Sequence, residues 1–305
     1  MIDLWTEKYR PKDVSGYVFT DVATKEQVEA WIKEGTVPHL LLHGPAGTGK
    51  TTLAKILVNQ LHIDEYDCLQ VNASRDNGVD YLKTEGFVST MPFGPFKIVI
   101  LDEADYLSPN AQGLLRGLME TYQAQARFIL TCNLVHKIIT PLKSRCYEIH
   151  INKSDQVEFY VRASTVLAAE NVVYEDETLA SYVAATYPDL RKCLQLLQGN
   201  SKEGQLLNPR DSVSSTQDYK LVMVDLIKQR KYKEARQLLC KQARPEEMEE
   251  IFRWLYDNIE LWSSTDEGQD EAILIIGKYI VNHSLAGDPE MNLAACMVEL
   301  SRVSQ

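Results

Sequence analysis

Gly44-Pro45-Ala46-Gly47-Thr48-Gly49-Lys50-Thr51 is the stretch on which the reading of this chain turns. It matches the pattern GxxxxGK[ST], and its setting fits: the apolar run Leu40 to His43 precedes it, and a helical pattern runs from Lys50 to about Leu61. Glycines let backbone N–H groups converge on phosphate oxygens, and a helix N-terminus adds partial positive charge. In such a loop Pro45, Gly47, Thr48 and Gly49 form the cradle, Lys50 reaches the outer phosphates, and the Thr51 hydroxyl ligates Mg2+. A purely structural glycine turn gives no reason for the Lys-Thr pair.

Ile98-Val99-Ile100-Leu101-Asp102-Glu103 is an apolar run that ends in two carboxylates. Alone, such a pair is an ordinary solvated turn. Behind a phosphate loop it becomes the second half of a site, with Asp102 holding the metal through its water shell and Glu103 polarising the attacking water. Asn133 closes the next apolar run, Phe128 to Thr131, and is placed to orient the same water. A lone Asn at a strand end is more often a cap, so this role rests on its company.

The first half of the chain alternates apolar runs with helical patterns. With Cys68 to Val71 added to the runs above, this predicts an α/β fold with a parallel sheet covered on both faces. From about Asn152 the strand-like runs stop. Ser154 and Asp155 can cap a helix to Glu170, Asp176 begins another to Thr186, and Asp189 a third ending near Gly199. Gly199 to Thr216 is polar and reads as a linker. Beyond it the pattern is helical throughout, with Met248, Ile251, Phe252, Leu255 and Ile259 on one apolar face. The expected division is a nucleotide-binding domain over 1–151, a small helical domain over 152–200, a linker over 201–217 and a helical assembly domain over 218–305.

The 305 residues are 45% hydrophobic and 25% charged, the composition of a globular protein able to build more than one core. No apolar run approaches membrane-spanning length, and Met1 to Arg10 has neither the apolar stretch nor the cleavage site of a secretory signal. A cytoplasmic protein without membrane partners is expected. Six cysteines lie far apart with no CxxC, which predicts free thiols. A net charge of −11 argues against indiscriminate coating of nucleic acid, while leaving room for DNA held by a local basic stripe.

Glu7-Lys8-Tyr9-Arg10-Pro11-Lys12, the Gly44 to Thr51 loop, Asp102-Glu103-Ala104-Asp105, Asn133 and Ser144-Arg145-Cys146 together resemble the AAA+ clamp-loader ATPases, the replication factor C small subunits and their T4-like bacteriophage counterpart. The resemblance covers roughly the first 200 residues. It implies an AAA+ P-loop domain, a helical lid and a helical collar, with ATP and Mg2+ as cofactors. It implies that Glu7, Tyr9 and Arg10 lie near the nucleotide base, that Arg145 is an arginine finger inserted into a neighbouring subunit's ATP, and that Arg191, in Pro188-Asp189-Leu190-Arg191, touches the γ-phosphate of its own. It further implies a ring of several copies with other clamp-loader subunits, a sliding clamp and primer–template DNA as partners. The shortness of the chain leans towards the phage type, in which one smaller subunit lacks an ATP site.

Weaker features follow from the same resemblance. Asn77-Gly78-Val79-Asp80 and Ser108-Pro109-Asn110 look like helix N-termini that face DNA phosphates, with Asn77 and Asn110 as contacts. Many members carry a basic residue where Asn77 falls; here the nearby basic candidate is Arg75. Gln112 and Arg116, one helical turn apart, resemble a polar junction between the ATP sites and the DNA-facing helices, or are ordinary exposed helix residues. Phe87, Met91 and Phe93 are either an apolar contact for the clamp or local core. Two other classes compete. A DEAD-type helicase would need a second motor domain, and no second nucleotide motif follows Arg191. A ring scaffold without turnover is disfavoured by intact Lys50, Thr51, Asp102 and Glu103.

Overall fold

The computed structural model describes residues 4–74, 79–208, 219–242, 244, 247–283 and 287–303, with the side chains of 79–83 left aside. Arg75 and Asn77 lie outside the described residues, as does most of the expected linker. The chain divides into two compact units, Met1–Asp155 and Gln156–Gln305.

The first unit is built on a parallel sheet of β1 (Leu40–His43), β2 (Cys68–Asn72), β3 (Lys97–Asp102), β4 (Ala126–Cys132) and β5 (Tyr147–His150), in the order β2-β3-β4-β1-β5. Its central strands are continuous apolar runs because both faces are covered. Leu40, Leu42, Ile98, Ile100 and Ile129 enter one core, and Leu41, Val99, Leu101, Phe128 and Leu130 enter the other. The alternation is the period-two pleat of a strand, applied to residues that are all apolar. β5 adds a strand where the sequence pattern announces none. It sits at the sheet edge with Ile149 as its single buried residue, so there is no apolar run to read.

Among the described residues, six helices accompany the sheet: α1 (Trp5–Lys8), α2 (Val22–Glu34), α3 (Lys50–Gln60), α4 (Val79–Val88), α5 (Pro109–Thr121) and α6 (Thr140–Lys143). Local chemistry sets their ends. Asp21 accepts from the N–H groups of Ala23 and Thr24 at 3.3 and 3.0 Å, and Gly35, at φ 69°, closes α2. Ser108 accepts from Ala111 N–H at 3.2 Å, with Pro109 in the first turn of α5.

The second unit is helical, comprising α7 (Gln156–Ala169), α8 (Asp176–Thr186), α9 (Leu190–Asn200), α10 (Tyr219–Lys228), α11 (Tyr232–Gln242), α12 (Met248–Asp257), α13 (Asp266–His283) and α14 (Pro289–Val303). Asp189 accepts from Lys192 N–H at 3.1 Å and caps α9. The apolar face read from Met248, Ile251, Phe252 and Leu255 is buried, and Trp254 joins it. Within 201–217, β6 (Ser201–Lys202) and β7 (Gln205–Leu206) pair antiparallel, so the start of the expected linker is a tight hairpin. No helix of the described residues is long and apolar enough to cross a membrane. All six cysteines are free.

Candidate nucleotide site

The carboxyl ends of β1, β3 and β4 lie side by side, with β4 in the middle, and the loops leaving them converge as ligand crevices do in open parallel sheets. β1 runs straight into the glycine loop. Gly44 adopts φ 149°, and a Cβ there would lie 2.1 Å from the carbonyl oxygen of Ile151, so only glycine fits. Gly47 and Gly49 take φ values of 76° and 94°, in the region that side chains resist. α3 then starts on Gly49 with no side-chain cap, which leaves its first N–H groups turned to the loop.

Lys50 lies under this loop, 8% exposed, and its Nζ donates to the carbonyls of Gly44 at 2.9 Å and Pro45 at 2.6 Å. Thr48 Oγ1 donates to Pro45 O at 2.9 Å and closes the same turn. A buried ammonium beside uncapped amides is a phosphate-binding arrangement. Thr51 Oγ1 donates to Asp102 Oδ1 at 2.8 Å, bringing two hard oxygens together as Mg2+ requires. Among the described residues, no three His, Cys, Asp or Glu side chains gather as a metal cage.

Glu103 follows in the left-handed region, at φ 59° and ψ 43°, a conformation that costs a non-glycine residue free energy and recurs where side chains are aimed for chemistry. Its N–H donates to Thr131 Oγ1 at 3.1 Å, and the same hydroxyl donates to Asp102 Oδ1. Thr131, buried in β4, therefore pins both carboxylate residues. Two positions on, the N–H groups of Asn133 and Leu134 donate to Asp105 Oδ2 at 3.3 and 3.1 Å. Sequence reasoning misses both Thr131 and Asp105; the available signal is a hydroxyl inside an otherwise apolar strand and the fourth residue of Asp102-Glu103-Ala104-Asp105.

The other candidates have surroundings of their own. Arg145 donates to Pro141 O at 2.6 Å and pairs with Glu120. Arg191 is exposed in the first turn of α9, in the second unit. Arg10 and Glu7 form an ion pair at 2.9 Å, with Tyr9 half-buried between them in sequence. Asn110 is exposed at the start of α5. Of the two residues read as a junction or as exposed helix residues, Arg116 is exposed but Gln112 is buried. Gln112 Nε2 donates to Leu107 O and Lys137 O at 3.1 and 3.0 Å, and its Oε1 accepts from Ile139 N–H at 2.8 Å. Phe87 packs on the core, whereas Met91 and Phe93 are over 80% exposed, with Tyr66 6.1 Å from the Phe93 ring.

Residues 40–154 match the ATPase family associated with various cellular activities (AAA). The chain is 38% identical over 209 residues to a replication factor C small subunit of Sulfurisphaera tokodaii, covering 67% of this chain and 64% of that protein. It is 34% identical over 212 residues to the replication factor C small subunit of Archaeoglobus fulgidus, covering 68% of this chain and 66% of the relative. The chain thus spans just under two thirds of the length of these relatives. Among solved structures, the RuvB Holliday junction branch migration motor of Thermotoga maritima superposes with a TM-score of 0.54 at 18% identity, covering 72% of each chain. Another RuvB structure from the same organism gives 0.56, with 72% and 79% covered. At that identity the RuvB likeness speaks for the fold alone. Residues 40–154 thus carry an AAA-type ATPase domain with this loop geometry, in a chain that is a homologue of the replication factor C small subunits.

Proposed function

We propose that the chain is the ATPase subunit of a sliding-clamp loader, using ATP binding and hydrolysis to open a ring-shaped clamp and close it on primer–template DNA during replication. The observation that carries this reading is the Thr51–Asp102–Thr131–Glu103 cluster beside the Lys50 loop, in a chain whose sequence relatives are replication factor C small subunits. In this reading Lys50 and the loop amides hold the phosphates, and Thr51 and Asp102 hold Mg2+. Glu103 takes the proton from attacking water while Asn133 orients that water. Arg145 reaches the ATP of a neighbouring subunit, and Arg191 the γ-phosphate of its own. Glu7, Tyr9 and Arg10 serve the base, and Met91 and Phe93 form the clamp-facing patch. Residues 152–200 act as lid and 218–305 as collar, and Asn110, Gln112 and Arg116 relay contact with DNA, as do Arg75 and Asn77.

The ring is proposed to hold several copies of this chain in the cytoplasm. Whether it follows the phage plan, with one smaller subunit lacking a nucleotide site, is read from the mass of the purified complex. The functional test is ATP turnover by that complex with clamp and primed DNA. Clamp and primed junctions together are expected to stimulate turnover well above the basal rate, and an indifferent turnover would overturn the clamp-loader reading.

A further inference from the structure

Tyr17 stands outside every role given above. Asp13 sets it in place: its Oδ1 accepts from Ser15 Oγ at 2.6 Å and from Gly16 N–H at 2.8 Å, while Tyr17 N–H donates to Val14 O at 3.2 Å. This closed turn drives the Tyr17 ring into the core cluster that also holds Val14, Val28 and Leu53, edge-on to Phe19 with centroids 4.8 Å apart. Tyr17 is 8% exposed, and its hydroxyl is buried with no hydrogen-bond partner among the described residues. Burial also holds the phenol well above its ordinary pKa, so the group is a neutral donor. A phenylalanine would fill the same space without an unsatisfied polar atom, so the hydroxyl needs a reason to be there.

Its position supplies one. A Cβ on Gly49 would lie 3.1 Å from Tyr17 Cε2 and 3.3 Å from the Tyr17 hydroxyl oxygen. Gly49 is the N-cap of α3, an 11-residue helix whose N-terminus has no side-chain cap. A buried, unpaired hydroxyl and an uncapped helix N-terminus thus meet at one place on the loop.

We propose that the Tyr17 hydroxyl is a nucleotide contact, a hydrogen-bonding group for a nucleoside di- or triphosphate seated on the Gly44 to Thr51 loop. The proposal rests on the nucleotide-binding reading of that loop. A nucleotide offers acceptors along its whole length, so its arrival satisfies the hydroxyl. Without nucleotide the same hydroxyl destabilises the fold. Tyr17→Phe therefore acts in opposite directions in the two states.

The test uses the full chain, wild type and Tyr17→Phe, with equilibrium binding of a fluorescent ADP analogue and melting temperatures with and without ADP. Tyr17→Phe is expected to weaken binding roughly three- to ten-fold, the range of one neutral hydrogen bond. Its melting temperature without ADP should equal or exceed that of wild type, and the rise caused by ADP should shrink. Binding within two-fold of wild type would overturn the proposal, and so would a lowered melting temperature without ADP, since that would mean a partner within the protein. Lys50→Ala serves as the separate control for the loop. If wild type binds no better than Lys50→Ala, the nucleotide reading of the loop falls, and the Tyr17 contact with it.

Discussion

Thr51 Oγ1 donates to Asp102 Oδ1 at 2.8 Å, a bond that joins the first turn of α3 to the end of β3 across 51 residues of sequence. β1, which leads into α3, is not a neighbour of β3, because β4 lies between them, and Thr131 of β4 completes the bridge by donating to the same Asp102 oxygen. Thr51, Asp102, Thr131 of the middle strand and the Glu103 backbone are thus one hydrogen-bonded unit. Under the proposed function, this arrangement assigns ground-state binding to Lys50 and action on water to Glu103.

Lys50→Ala should weaken nucleotide binding by roughly 10- to 100-fold, the scale of removing a charge-assisted hydrogen bond from a buried site. Glu103→Gln keeps the side chain's size and should bind nucleotide within a few-fold of wild type, while turnover falls by about 10²- to 10⁴-fold. Equilibrium nucleotide binding and phosphate release on the assembled complex separate the two effects. The catalytic role of Glu103 is falsified if Glu103→Gln turns over within a few-fold of wild type.

Gly44→Ala tests the loop as a fold element. The added Cβ would meet Ile151 O at 2.1 Å, and the obstacle is backbone, not the tip of a flexible chain. Loss of roughly 3 kcal/mol or more is expected, with the neighbouring Gly47 and Gly49 turns displaced. Denaturant unfolding gives the number. A variant of wild-type stability would mean that β5 and the loop separate more easily than this geometry implies.

The glycine loop, the strands β1 to β4 and the Asp102-Glu103 pair are legible in the sequence because each is a dense local signal: apolar runs and fixed spacings in consecutive residues. β5 is not, since an edge strand with one inward residue carries no such run. Thr131, Asp105 and Tyr17 escape for a different reason. Their partners lie 29, 28 and 32 positions away, on Asp102, Asn133 and Gly49, and only the assembled sheet brings them together. Gln112 shows the same limit from the other side, as a polar residue on a helix that looks able to face solvent and instead satisfies three backbone groups.

Those three bonds make Gln112→Leu informative. The substitution keeps the bulk but strips partners from Ile139 N–H, Leu107 O and Lys137 O in a residue 1% exposed. A loss of about 2–4 kcal/mol is expected, because unsatisfied buried groups retain their desolvation penalty. Chemical denaturation checks it, and a change below about 0.5 kcal/mol would mean that water reaches all three groups.

His39 should make stability fall in mild acid. Its Nδ1 accepts from Phe128 N–H at 3.1 Å, and burial, aided by the Arg127 charge, pushes its pKa down from 6.5 to about 4. The unfolded imidazole takes up its proton near 6.5 and the folded one only near 4. Between these values the unfolded state binds more protons, so stability present above pH 6.5 is lost as pH drops to about 4. Over the whole window the contribution, reduced by solvent screening of a partly exposed ring, is on the order of 2 kcal/mol. His39→Gln, which can still accept from Phe128, should flatten that part of a melting-temperature profile against pH. An unchanged profile would assign the acid response to other groups.

Arg145 provides the test of assembly. Its guanidinium donates to Pro141 O and pairs with Glu120, while Glu120 also faces Arg116 at 3.9 Å. The pair is half-exposed, with side chains 34% and 47% accessible, and such pairs contribute only on the order of 0.5 kcal/mol. Charge developing on a transferring phosphoryl group attracts an arginine far more strongly, so Glu120 can hold Arg145 ready without trapping it. Arg145→Ala should bind nucleotide nearly as wild type does, yet lose roughly 10³-fold or more in turnover as a pure assembly. Lys50→Ala fails at its own site but still presents Arg145 to a neighbour. Mixed assemblies of the two variants then contain some interfaces with both parts intact and should regain a measurable fraction of activity that neither variant has alone. Glu120→Gln, which removes the competing charge, should leave turnover equal to or above wild type. Mixed rings as inactive as the separate ones, after co-assembly is verified by mass, would place the action of Arg145 within its own subunit or remove it from the reaction.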